Sequence, residues 1–155
     1  MMRLANLYSV LLALAGILAG PVHAQDAGLN PNAGQVTLSS GFTPDPFTVQ
    51  VLAGGNQDGN RLPGACTGWI SDAPDFRVTY RAGRLPLAFQ TVSGTDTTLV
   101  INDPNGNWAC DDDSFGDGDA QVVFRRPASG VYDVWVGTFS RGGTASATLG
   151  ITETP

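Results

Sequence analysis

The chain predicts an all-β fold, an antiparallel β-sandwich of jelly-roll type forming a single domain behind a cleaved signal peptide. Three observations point that way. Short apolar runs recur along the chain, and 20 glycines and 10 prolines, with many Asn and Asp, supply turns between them. Within several runs the apolar residues alternate with polar ones, the period of a strand with one buried face. No stretch after the first two dozen residues carries the helical spacing long enough to compete. Regularly punctuated strands without helices are the signature of a sandwich or jelly roll.

The first 24 residues are read as processing signal rather than structure. Arg3 forms a short charged start, Val10 to Gly20 is apolar, Pro21 breaks it, and Val22-His23-Ala24 matches what a signal peptidase reads, so cleavage is expected after Ala24. The apolar run falls short of the roughly 20 residues a membrane-spanning helix needs. The expected product is periplasmic or secreted, with no membrane insertion after cleavage. Residues 25–34 are polar and read as a flexible lead-in to a domain over 35–155.

The strands then follow in order. Gln35 to Ser39 alternates, and Phe47 to Leu52 starts after the Pro44-Asp45-Pro46 turn. Ala53 to Gly64 is a long polar loop, and Cys66 to Ile70 a short apolar piece. Phe76, Val78 and Tyr80 share one face of the next strand, with Arg77, Thr79 and Arg81 on the other. Leu85 to Val92 and Thr97 to Asn102 come next. Asn105-Gly106 accepts the backbone of a tight turn, so Trp108 to Cys110 folds back as a hairpin arm. Gln121 to Arg126, Val131 to Phe139 and Ala145 to Thr152 complete the set, with Ala145, Ala147, Leu149 and Ile151 directed inward.

Composition narrows the chemistry. The only histidine is His23, both methionines are Met1 and Met2, and there is no lysine. Residues 25–155 therefore hold no Ser-His-Asp, Cys-His or Ser-Lys apparatus and no histidine metal site. The formal charge of -6 and the scattered arginines argue against nucleic acid and anionic membranes as partners. Cys66 and Cys110, 44 positions apart in an exported chain, predict one disulfide, visible by mass as the loss of two protons. Trp69 and Trp108, beside the cysteines in sequence, are expected to pack around it.

The densest feature is the loop Asp111 to Asp119, with five aspartates, Asp111, Asp112, Asp113, Asp117 and Asp119. So much carboxylate repels itself unless a cation offsets it. Calcium suits the loop because it takes six to eight oxygens and Gly116 and Gly118 let carbonyls turn inward. The loop is no EF-hand, since the twelfth position from Asp111 is Val122 where a bidentate Glu is required. The bland alternative is a solvated acidic surface. A second candidate site is Trp135. If Tyr132, Val134 and Val136 face the core, Asp133 and Trp135 turn outward, and an exposed Trp is a platform for sugar or protein. The competing account covers it with Arg125 or Arg126 as a cation-π contact. On the platform reading Trp135→Ala leaves folding nearly intact, whereas Val134→Ala costs about 1 to 3 kcal/mol. Acid-base chemistry between neighbouring aspartates on one loop is disfavoured, because a hydrolase holds its two carboxyls across a cleft.

Taken together, Asp96 with Leu99, Asp103-Pro104-Asn105-Gly106, Asp111 to Asp113, and Pro127 to Tyr132 running into the strand to Val136 resemble the bacterial pre-peptidase C-terminal domain. The resemblance covers roughly the C-terminal half after the signal. It implies a non-catalytic β-sandwich of the kind appended to secreted peptidases, with calcium used by some collagen-binding relatives, and it adds Asp96 and Asp103 to the metal set. Here the expected chain has no protease domain attached. The expected partner is a protein or polysaccharide of the envelope or exterior. A carbohydrate- or matrix-binding module is the alternative, and a hydrolase comes third.

Overall fold

The computed structural model describes residues 25–155, so the signal-peptide expectation for 1–24 lies outside the described residues. Eleven strands are present, β1 (Gln35–Ser39), β2 (Phe47–Gly54), β3 (Gln57–Asp58), β4 (Trp69–Ile70), β5 (Phe76–Arg81), β6 (Leu87–Ser93), β7 (Thr97–Asn102), β8 (Trp108–Asp111), β9 (Gln121–Phe124), β10 (Gly130–Thr138) and β11 (Thr144–Thr152). The one helical piece among the described residues is a 3-10 turn, Gly59–Arg61, capped by the Asp58 carboxylate. The strands form two packed sheets, as expected for a sandwich. One holds β1, β5, β10, β7 and β8 with the short β3 and β4; the other runs β2-β11-β6-β9.

The expectation of a wholly antiparallel arrangement needs one correction. β1 pairs with β5 in parallel, Val36 opposite Val78 and Leu38 opposite Tyr80. A parallel pair needs a long crossover, and β1 reaches β5 only after the chain has built β2 in the opposite sheet.

Between the sheets lies the main core, built from alternate residues as the strand period requires. Phe76, Val78 and Tyr80 of β5, Tyr132, Val134 and Val136 of β10, and Ala147, Leu149 and Ile151 of β11 all point into it. Ala145, near the exposed start of β11, is only partly covered. Phe89, Phe124 and Tyr132 meet edge-on or tilted, with centroids 5.1 to 6.1 Å apart, the geometry that ring quadrupoles favour. At the far end Glu153 is buried and accepts from the Tyr80 hydroxyl at 2.5 Å and the Gly41 amide at 2.7 Å. Burial, then the Glu153 partner, pushes the Tyr80 hydroxyl up to about 12.

The residues expected as a flexible lead-in are instead docked. Asp26 and Asn32 donate their amides to the Asp72 and Pro74 carbonyls, and Ala33 donates to Asp75. Arg77 pairs with Asp133 at 2.6 Å and also reaches the Ala27 and Leu29 carbonyls. Polarity of the sequence gave no hint of this, since the segment is held largely by backbone groups, with only the small side chains of Ala27 and Ala33 packed against the cores.

Candidate functional site

The hairpin that leads to the acidic loop forms as the turn residues require. Asp103 Oδ1 accepts from the Asn105 and Asn107 amides at 2.8 and 2.9 Å, and the Gly106 amide closes onto the Asp103 carbonyl. Only Gly106 takes the left-handed conformation, at φ 80°. The connection therefore spans Asp103 to Asn107 rather than two residues. The bonds from the Asn107 and Asn105 amides outweigh partial burial and hold the Asp103 carboxyl below its ordinary range.

In the loop beyond, the carboxylates do different work. Asp111 Oδ2 accepts from the Ser114 amide, the Ser114 hydroxyl and the Gln121 amide, between 2.8 and 2.9 Å. Asp119 is buried and accepts from the Ser93 amide at 3.0 Å. The turn is tightened by positive φ at Gly116, Asp117 and Gly118, and by a bridge between Gly116 and Asp119. Asp117 tolerates that backbone because a short polar side chain visits the left-handed region more readily than most. Desolvation, and then the charges of Asp113 and Asp112, raise the Asp96 carboxyl. The charges of Asp112 and Asp113 thus reach Asp96.

The seven carboxylates predicted as a metal set do not converge. Among the described residues no three His, Cys, Asp or Glu side chains stand close enough together to hold a metal ion. Asp103, Asp111 and Asp119 are braces for backbone amides, an occupation that a loop rich in glycine needs because it has few side chains of its own.

Trp135 is the clearest correction. Its ring is fully buried, so it offers no exposed platform. The alternation was read correctly, since Val134 faces the main core and Trp135 the opposite side of β10, but that outer side is itself covered. Trp135 packs in a second core with Cys66, Ile70 and Val100, supported by Ala27, Leu62, Trp108 and Cys110. The Cys66–Cys110 disulfide is present, with Cα atoms 5.0 Å apart, and pins the loop before β4 onto β8. Trp108 lies 5.5 Å from Trp135, centroid to centroid. Trp135 is thus covered by this core and not by Arg125 or Arg126; Trp69 stands outside the cluster, with Arg141 over its ring at 4.7 Å.

Covering of one sheet leaves the other open. Cross-strand partners share a face, so the outer surface of β2-β11-β6-β9 can be read row by row. Gln50, Thr148 and Val92 make one row; Thr48, Gly150, Gln90 and Gln121 make the next; Leu52 and Ser146 flank the first, and Thr152, Ala88 and Val123 the second. None is ionisable. Gln50 donates to Thr148 at 2.8 Å and Gln121 to Gln90 at 3.3 Å, while Leu52, Val92 and Val123 remain exposed.

A buried carboxylate missed in the sequence is Asp75. β4 and β5 lie along the same edge of β10, Trp69 opposite Thr138 and Phe76 opposite Val134, and the chain bulges between them. Asp75 fills the gap: its amide donates to the Val134 carbonyl, and its Oδ2 accepts the Val136 amide at 2.8 Å in place of a ladder carbonyl. Asn32 Nδ2 and the Ser71 hydroxyl approach Oδ1 at 3.2 and 3.3 Å. Desolvation dominates these bonds and pushes the carboxyl up to about 6. The signal in sequence is Ala-Pro-Asp immediately before an alternating strand, where Pro cannot continue a ladder.

A folded-state value above the unfolded one means the native state holds the extra proton between about pH 4 and 6. Stability from this group is then complete below about pH 4 and falls as pH rises through 6, by roughly 3 kcal/mol at most. Asp75→Asn should flatten that part of the stability-pH curve measured by urea melts. An identical slope in the variant would assign it to other carboxyls.

Comparison with known proteins finds no matching family model and no matching curated protein. Among solved structures, the chain is similar to the pre-peptidase C-terminal domain of collagenase from Bacillus anthracis, at 14% identity over 80% of this chain and 98% of that one, with a TM-score of 0.47. It is also similar to PliG of Aeromonas hydrophila, a periplasmic lysozyme inhibitor of g-type lysozyme, at 15% identity over 76% and 96% of the two chains, with a TM-score of 0.39.

Proposed function

We propose that this is an exported, non-catalytic β-sandwich module that binds a protein of the envelope or exterior through the open face of its four-stranded sheet. The observation that carries this reading is that face: its paired rows hold no charged side chain in an acidic chain, and Leu52, Val92 and Val123 stand exposed on it while Ala88 and Thr152 at one end are buried. Uncharged polar groups interspersed with aliphatics suit a protein interface of modest size. A polysaccharide is the weaker occupant, because sugars dock on aromatic rings and this face presents none. Export is supported by the signal-like start and the disulfide.

Calcium enters this reading in a reduced form. Its role is confined to weak, partial coordination near Asp96, where the charges of Asp112 and Asp113 act and a divalent cation would offset them, since no three carboxylates among the described residues stand close enough to enclose an ion. Native-state binding at a tenfold excess over Kd would add about 1.4 kcal/mol. A peptide and glycan array probed with and without EDTA, using wild type and Val92→Glu, tests the whole reading. The expected result is peptide binding lost in Val92→Glu, with a small rise in melting temperature in millimolar calcium that Asp112→Asn with Asp113→Asn removes. Glycan binding indifferent to Val92→Glu would overturn the protein-partner reading, and an unchanged melting curve would return the loop to a self-braced acidic surface.

A further inference from the structure

Beyond the open face, the sandwich leaves one long strand edge undefended. Sheet edges are ordinarily blunted by charge, proline, bulges or brevity, because a free row of N–H and C=O groups templates another strand. The other edges are shorter, including the five uncharged residues of β1, and most are blunted. β9 has four residues and runs into Arg125-Arg126, β8 has four and carries the disulfide, and β3 has two. By contrast β2, with sequence FTVQVLAG, is eight residues long without charge or proline. It pairs with β11 along its whole length, and no other backbone hydrogen bond among the described residues involves it.

A cleft of about 230 Å³ lies against this strand and touches Gln50, Val51 and Leu52 in succession. Successive strand residues point to opposite faces, so a cleft that reaches all three runs along the edge and not over one face. Its far wall includes Ser71 and the buried Asp75. Through Asn32 and Ser71 it joins a second cleft of about 480 Å³ that passes Gly55, Asn56 and Asp72. The channel thus continues β2 past its end. At about 3.3 Å per residue, the run from Gln50 to Asn56 takes an extended segment of about half a dozen residues. Every charged side chain lining the two clefts is an aspartate.

We infer that β2 is a strand-addition site for an extended, basic peptide segment of a partner protein. The occupant's backbone pairs with the free edge of β2, and an Arg or Lys side chain projects toward Asp72, Asp75 being buried and engaged by the Val136 amide. A second copy of this chain is disfavoured there, because it would bring an equally acidic cleft against the first. Strand addition takes affinity from main-chain bonds and specificity from the alternate side chains, which matches an uncharged edge beside an acidic wall.

The test is nuclear magnetic resonance titration of the isotope-labelled protein, residues 25–155 with the disulfide intact, against acetyl-Thr-Val-Arg-Val-Arg-Val-Thr-amide. Saturable shifts are expected along Thr48 to Asn56 and at Ser71 to Asp75. N-methylation of one alternating set of peptide amides should weaken binding at least tenfold, and N-methylation of the other set should leave it within about twofold, the mark of a strand bonded along one edge. Exchanging the arginines for glutamates should weaken binding about tenfold, and Asp72→Asn about threefold. Absence of saturable shifts at millimolar peptide, equal sensitivity to both N-methyl sets, or concentration-dependent dimerisation through β2 without peptide would each overturn the proposal. Shifts confined to Val92, Thr148 and Gln90 would overturn it too, while leaving the open-face reading intact.

Discussion

Trp135→Ala is expected to destabilise the fold by about 3 to 5 kcal/mol, more than Val134→Ala at its neighbour. The indole is fully buried among Cys66, Ile70 and Val100, and Trp108 leans on it. Removing it empties the second core beneath the disulfide, where a pinned loop has little freedom to collapse into the space. For a domain whose total stability is typically 5 to 15 kcal/mol, that loss is large. Trp135→Phe should cost less than the alanine change, since it keeps most of the ring and removes an indole N–H that has no hydrogen-bond partner among the described residues. Urea melts of the three variants measure this. A Trp135→Ala protein within 1 kcal/mol of wild type would restore the exposed platform that alternation alone suggested.

Replacing Cys66 and Cys110 together by alanine is expected to cost about 4 kcal/mol, the chain-entropy value for a closed loop of this length. The bridge spans 44 positions and holds the loop before β4 over β7 and β10. Its loss also bares the side of Trp135, so the double cysteine variant and Trp135→Ala should combine to less than the sum of their separate effects. Thermal or urea unfolding of the variants, alone and together, checks both statements. A cysteine-free protein that melts within a few degrees of wild type would mean that apolar contacts alone hold the second core.

The positions of the longer strands were legible to within a residue or two because they depend on local signals, whereas β3 lies in what read as a polar loop and β4 begins three residues later than read. The alternation of Phe76, Val78 and Tyr80 and the inward set Ala147, Leu149 and Ile151 appear in the structure as read. The disulfide was legible from cysteine count and compartment. The acidic loop was legible as a loop, but not in what its carboxylates do. Whether Asp111 meets an ion or the amides of Ser114 and Gln121 depends on where the chain folds back. Charge density in sequence carries no such information.

By itself, then, the order of residues determined the all-β class, the places of the longer strands and which sides of β5, β10 and β11 face the main core, through period-two patterning and turn chemistry, and the cysteine pairing through there being only two. Tertiary structure decided what lies on the other side. Alternation distinguishes two faces of a strand but cannot say whether the outer one meets water. The docked lead-in and the disulfide loop bury Trp135, whereas Val92 on the opposite sheet stands exposed among the described residues. The same holds for Asp75 and the edge of β2. One completes a ladder and the other leaves one open, and both result from pairings between segments far apart in the chain, which no local pattern encodes.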